Sequence, residues 1–231
     1  MSSVGKNVEE LRKRIAEAAL RRNRNPSDVR LMAVTKTVDD ERIMEAIDAG
    51  VDIIGENYVQ EARRKIEKMG KRTQWHMIGY LQTNKAKYAV KLFDLIHSVH
   101  KLSLAEELDR RSKKEGCITR ILIEVNMSGE ASKSGVEKEN VFGLIEQIAK
   151  FSNLSIQGLM TMAPWFRNPE DARPFFRDLR MLRDEIAQAN ISGVEMKELS
   201  MGMSDDYEVA VEEGSTIVRI GRRIFGERVK K

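Results

Sequence analysis

From residue 30 onward, short apolar runs alternate with longer stretches of helical spacing. Residues 30–35 (RLMAVT) read as a buried strand, and 37–49 as a helix with Ile43, Met44 and Ile47 on one face, stopped by Gly50. The same alternation predicts strands at 51–54, 74–78, 95–97, 119–125, 154–160, 195–199 and 216–220. Between them it predicts helices at 59–69, 85–92, 102–115, 137–151, 168–189 and 207–213. Asn168 and Pro169 supply an N-cap and a first-turn proline for the longest of these. The first 22 residues form one more amphipathic helix, with Val4, Val8, Leu11, Ile15 and Ala18 recurring at steps of four and three.

Strands separated by helices must run parallel, with helical crossovers. Eight such units in a chain of this size predict an α/β fold, a single (β/α)8 TIM barrel with an extra N-terminal helix; a doubly wound open sheet is the alternative. No linker or low-complexity stretch interrupts the pattern, so 1–231 reads as one domain, with the 1–24 helix packed on it. A barrel demands that functional residues follow the strands, at the C-terminal rim. Lys36, Glu56 and Asn57, His76 with Gly79, His97, Asn126, Thr161, Ser200 with Gly202, and Gly221 all do.

Composition narrows the partners. With 231 residues, one cysteine and a mean hydropathy of −0.45, the chain holds no intramolecular disulfide, no metal site built on cysteine pairs and no apolar run long enough to span a bilayer. A soluble cytoplasmic monomer, with no membrane partner, is expected. The net charge of +4 and pI near 9.1 hint at nucleic acid. The distribution removes the hint. Residues 1–24 carry seven bases against three acids, and 219–231 six against one, leaving an acidic body between two basic ends. No nucleic acid partner is expected.

Lys36 leaves an apolar strand at the rim, where partial desolvation lowers an amine's pKa and lets it attack an aldehyde; a surface lysine is the bland alternative. Ser200-Met-Gly-Met-Ser204 and Arg219-Ile-Gly221 follow the last two strands, the usual place for a phosphate in a barrel. A lysine facing two such turns points to a phosphorylated aldehyde, of which pyridoxal phosphate is the commonest cofactor. His76, His97 and His100 lack metal-ligand spacing and read as structural, as does Cys117. The polar stretch from Asn126 to Gly135 reads as a rim loop, with a lid contact as the alternative.

Several segments in fixed order resemble the pyridoxal phosphate homeostasis protein family. They are Ala33-Val-Thr-Lys-Thr37, Gly55-Glu-Asn-Tyr-Val-Gln-Glu61, Trp75-His-Met-Ile-Gly79 with Leu81-Gln-Thr-Asn-Lys85, Val125-Asn-Met-Ser-Gly-Glu130 with Ser132-Lys-Ser-Gly135, Gly158-Leu-Met-Thr-Met162, Leu199-Ser-Met-Gly-Met-Ser-Asp-Asp-Tyr207 and Val218-Arg-Ile-Gly221. The resemblance implies a barrel similar to the N-terminal domain of alanine racemase. It implies pyridoxal 5'-phosphate held as a Schiff base on Lys36, with Asn57 beside it, Ser200 and the Gly221 amide on the phosphate, and Arg219 near the pyridine nitrogen. Arg222 stands where a small hydroxyl residue is common, so one hydroxyl contact is lost and the Arg222 guanidinium becomes a candidate phosphate partner.

An arginine at the pyridine nitrogen disfavours ring protonation and weakens the ring as an electron sink. Racemases of similar design add a tyrosine from a second domain, which has no counterpart among Tyr58, Tyr80, Tyr88 and Tyr207 here. The expectation is a protein of pyridoxal phosphate homeostasis without substantial amino-acid turnover and with no catalytic residue or metal. Apo-enzymes are its candidate recipients. The alternative is a pyridoxal phosphate-dependent racemase or decarboxylase.

Overall fold

A computed structural model of the chain describes residues 2–130 and 134–227. Helix α1 (Ser3–Leu20) leads to β1 (Arg30–Val34), α2 (Asp40–Asp48), β2 (Ile53–Glu56), α3 (Val59–Met69), β3 (Gln74–Met77), α4 (Ala86–Leu92) and β4 (Leu95–Val99). Then come α5 (Leu102–Glu115), β5 (Thr119–Asn126), a two-residue β6 (Val136–Glu137), α6 (Val141–Ile148), β7 (Leu154–Met160), α7 (Arg173–Gln188), β8 (Val194–Met203), α8 (Tyr207–Glu212), β9 (Ile217–Ile220) and α9 (Arg222–Phe225).

The strands pair in the order β4-β3-β2-β1-β9-β8-β7-β5, and β4 pairs with β5 to close the ring. Every ladder is parallel. The eight predicted strands therefore form the predicted barrel, with β6 added to the edge of β5. One large apolar cluster fills the space between barrel and helices. A second, separate cluster joins Met32, Ile53, Leu95, Leu122, Met160 and Ile217 from six different strands, so it occupies the barrel lumen.

Helix α1 buries the predicted stripe Val4, Val8, Leu11, Ile15 and Ala18 against this body. Polar ties hold it in place: Asn7 Nδ2 donates to the Ile224 carbonyl at 3.0 Å, and Arg21 pairs with Glu208 and Glu212.

Several boundaries differ from the sequence expectation; the helix expected over 137–151, for example, spans only Val141–Ile148, after β6 and a 3-10 turn at Lys138–Asn140. Helix α2 starts at Asp40 and not at 37, because Asp39 accepts from the Arg42 amide at 3.0 Å as its N-cap and Thr37 takes a φ of 64°. Asn168 caps a 3-10 turn over Pro169–Ala172, and α7 begins only at Arg173. Strand β8 runs on to Met203, so Ser200, Met201 and Gly202 lie within the strand and not after it. Positions 131–133 of the Asn126–Gly135 loop, and the basic tail Arg228, Lys230 and Lys231, lie outside the described residues. Among the described residues no helix is long and apolar enough to cross a membrane.

The barrel mouth as candidate functional site

Alternate side chains of a strand face opposite sides. Stepping two residues toward the C-terminal end from the lumen cluster therefore gives the next inward layer: Val34, Gly55, His97, Glu124 and Arg219. One more step reaches Lys36, Asn57, Asn126 and Gly221 at the rim. Strand parity alone thus gathers Lys36, Asn57, Arg219 and Gly221 at one end of one barrel.

The layer beneath the rim is polar and tightly bonded. Arg219 is buried; one guanidinium nitrogen donates to Ser200 Oγ at 2.6 Å and another to the Thr161 carbonyl at 2.7 Å. Burial lowers its pKa to about 10, so it remains a fixed cation at neutral pH. Ser200 is fully buried, and its hydroxyl also meets His97 Nδ1 at 2.9 Å. His97 Nε2 meets His76 Nδ1 at 2.9 Å, and His76 Nε2 meets Gln74 Oε1 at 3.3 Å. This chain of contacts runs down the lumen to Arg30, whose guanidinium reaches Gln74 Oε1 at 3.4 Å. Burial, and next the proximity of Arg30, pushes His76 down to about 3; burial first, and then the proximity of His76 and Arg219, hold His97 well below the ordinary value. Both rings are neutral, as structural histidines should be, yet they also fix the Ser200 hydroxyl.

At the rim, one buried polar group lacks a partner. Asn57 Oδ1 is buried and has no hydrogen-bond partner among the described residues. Gly221 has a φ of −113°, and a Cβ built there would meet nothing nearer than the Val34 carbonyl at 3.5 Å. Neither backbone conformation nor packing within the chain requires glycine at that position. Gly79 differs: a Cβ there would fall 2.4 Å from the Asn57 carbonyl oxygen and 2.7 Å from its Cα. Its lack of a side chain lets the loop after β3 press against Asn57 and set its place.

Arg222 is exposed and paired with Asp205 and Glu227, so its guanidinium is already engaged by two carboxylates. Arg223 donates to the Ser204 carbonyl and lies over the Tyr207 ring. Beneath the rim, a second unpartnered polar group belongs to Glu124, which the sequence pattern did not single out. Its side chain is buried, Oε2 has no hydrogen-bond partner among the described residues, and His100 Nδ1 is 3.8 Å away. Burial raises its pKa to about 7, with the Arg219 charge opposing. Among the described residues no cluster of three metal-ligating side chains occurs.

Fold and mouth together define an alanine racemase-type barrel: the family model described as "Alanine racemase, N-terminal domain" matches residues 7–229. A curated pyridoxal phosphate homeostasis protein of Aquifex aeolicus is 46% identical over 216 residues, covering 93% of this chain and 94% of that protein. One from Escherichia coli K12 is 37% identical over 235 residues, covering 99% and 98%. The chain belongs to the pyridoxal phosphate homeostasis protein family. Among solved structures, PipY of Synechococcus elongatus with pyridoxal phosphate bound superposes with a TM-score of 0.80 at 36% identity, covering 92% of this chain and 100% of that one. Alanine racemase of Clostridium difficile 630 superposes at 0.75 with 14% identity; there the likeness covers 58% of the racemase and concerns the fold alone.

Proposed function

We propose that this chain binds pyridoxal 5'-phosphate at the barrel mouth, through Lys36, and serves in its homeostasis without substantial amino-acid turnover. The observation that carries this is the makeup of the rim: a half-buried lysine, an orphaned amide oxygen on Asn57 and a glycine at 221 that nothing in the chain requires. Such a cradle fits a ligand that lies against bare backbone, and the fixed Arg219 cation suits an anionic, nitrogen-bearing ring. When bound, the cofactor supplies an aldehyde that captures amines and an anionic phosphate. Lys36 would hold the cofactor by its amine, through a condensation that releases water, reverses by hydrolysis and needs no redox partner. Asn57 would orient the ring, and the Gly221 amide and Ser200 would hold the phosphate. Ser200 already accepts from Arg219 and contacts His97, so its hydroxyl direction is set by that chain of contacts.

An Arg219 charged at neutral pH would keep a second cation off a neighbouring ring nitrogen, which disfavours the carbanion chemistry of turnover. That supports a carrier, with apo-enzymes as recipients of released cofactor and a cytoplasmic, monomeric protein as the setting. One observation favours the enzymatic alternative, a racemase or decarboxylase: Glu124 is an inward-facing buried acid, raised to about 7, as a proton donor needs. Equilibrium dialysis with pyridoxal phosphate, followed by a panel of L- and D-amino acids, separates the two. Tight binding lost in Lys36→Ala, with no racemisation or decarboxylation, is expected. Robust turnover abolished by Glu124→Gln or Lys36→Ala would establish the enzyme instead.

A further inference from the structure

We infer that Lys65 is a positioning residue for Lys36: from behind the barrel wall it clamps both neighbours of Lys36 and so fixes the turn that presents it. Lys65 lies on α3 with a fully buried side chain. Its ammonium has three donors, and all three are used. They go to the Thr35 carbonyl at 2.7 Å, Glu56 Oε1 at 2.6 Å and Glu61 Oε1 at 2.7 Å. The two carboxylates carry the grip onward. Glu56 Oε1 accepts from the Thr35 hydroxyl at 2.5 Å, and Glu61 Oε1 accepts from the Thr37 amide at 2.9 Å. Residue 35 is thus held by its carbonyl and hydroxyl and residue 37 by its amide, while Lys36 between them has the parity of the lumen-facing Met32 and Val34.

The turn needs holding. Thr37 has a φ of 64°, a left-handed conformation that a β-branched residue rarely adopts unless its surroundings impose it. A buried lysine bonded to two carboxylates is also a costly arrangement, and an apolar side chain in its place would pack more simply. Lys65 lies on the outer side of the wall, where Thr35 and Glu56 point away from the lumen, so its part in the site is played through Lys36. The inference rests on the reading of Lys36 as the attachment point, but its consequence appears in the ligand-free protein.

The test is the reactivity of the Lys36 amine toward a small acylating reagent, followed across pH by quantitative peptide mass spectrometry, with exposed Lys197 as internal reference. Lys65→Met should slow acylation of Lys36 by about tenfold relative to Lys197 and change its pH profile. Adding Thr37→Gly should recover a large part of that loss, because glycine adopts the turn's φ unaided. A general loss of stability would not be reversed by that glycine. Should Lys65→Met fail to fold, Glu61→Ala removes the grip on the Thr37 amide and one of the three Lys65 contacts, leaves the contacts of Lys65 with Thr35 and Glu56, and should give a smaller slowing of the same kind. An unchanged Lys36 rate and profile in folded Lys65→Met, or in Glu61→Ala if it alone folds, would overturn the inference. Brisk acylation of Lys36 in the wild type with no attachment of pyridoxal phosphate would instead refute the cofactor site and leave the clamp standing.

Discussion

Glu124→Gln should change the pH dependence of stability in a calculable way. Glu124 sits on β5 inside the lumen, with His100 of the loop after β4 at 3.8 Å and the Arg219 charge on β9 acting on it. Arg219 does not rescue it, because two of the guanidinium nitrogens are committed to Ser200 and the Thr161 carbonyl. Burial therefore raises its pKa from 4.5 to about 7. A carboxyl whose folded pKa lies above its unfolded pKa stabilises the fold while protonated; that contribution is complete below pH 4.5 and fades as pH rises through 7. A shift of this size is worth about 3 kcal/mol. Glutamine keeps the shape and stays neutral. The variant should match the wild type at pH 4 and exceed it by about 3 kcal/mol above pH 8, or roughly 6–12 °C in Tm for a chain of this length. Denaturant unfolding of both proteins from pH 4 to 8.5 measures the difference, in which the other buried acids, Glu56 and Asp206, cancel. A difference that stays flat across that range would refute the claim that Glu124 is buried without a partner.

Other substitutions probe separate parts of the mouth. Gly221→Ala should leave stability within about 0.5 kcal/mol, since its Cβ meets only ordinary contacts, yet weaken pyridoxal phosphate binding about tenfold in equilibrium dialysis. Gly79→Ala should cost about 1–3 kcal/mol in denaturant unfolding, because its Cβ falls on the Asn57 backbone, and should weaken binding as Asn57 shifts. His97→Leu leaves His76 Nδ1 without this partner and takes from the Ser200 hydroxyl one of its two contacts, and should cost about 2–4 kcal/mol, whereas a wild-type melting curve would show that the lumen chain is not structural.

Most of the architecture was legible in the chain because eight strand–helix units leave few topologies open. The rim positions followed from it: once Arg30-to-Thr35 is a barrel strand, Lys36 must stand at its exit. What escaped depends on three-dimensional register. Residues 119–125 form a strand almost wholly buried on both sides, and nothing local marks which face is the lumen, so Glu124 was not singled out. His76 and His97 meet only because adjacent parallel strands stagger them into contact, and the sequence shows merely two separate histidines. The pair Glu61 and Lys65 has a visible helical spacing of four, which ordinarily marks a solvated salt bridge. Its burial against Thr35 required α3 to be docked on the closed barrel. Ser200 was expected in a loop; the extension of β8 to Met203 turned its hydroxyl into the lumen, where Arg219 and His97 hold it.

The central claim is that Lys36 carries the cofactor. Loading the purified protein with pyridoxal phosphate, reducing with borohydride and mapping the peptides by mass spectrometry addresses it directly. A single stable modification on Lys36, absent from Lys36→Ala, is expected; modification of a different lysine, or none after loading, would contradict this assignment.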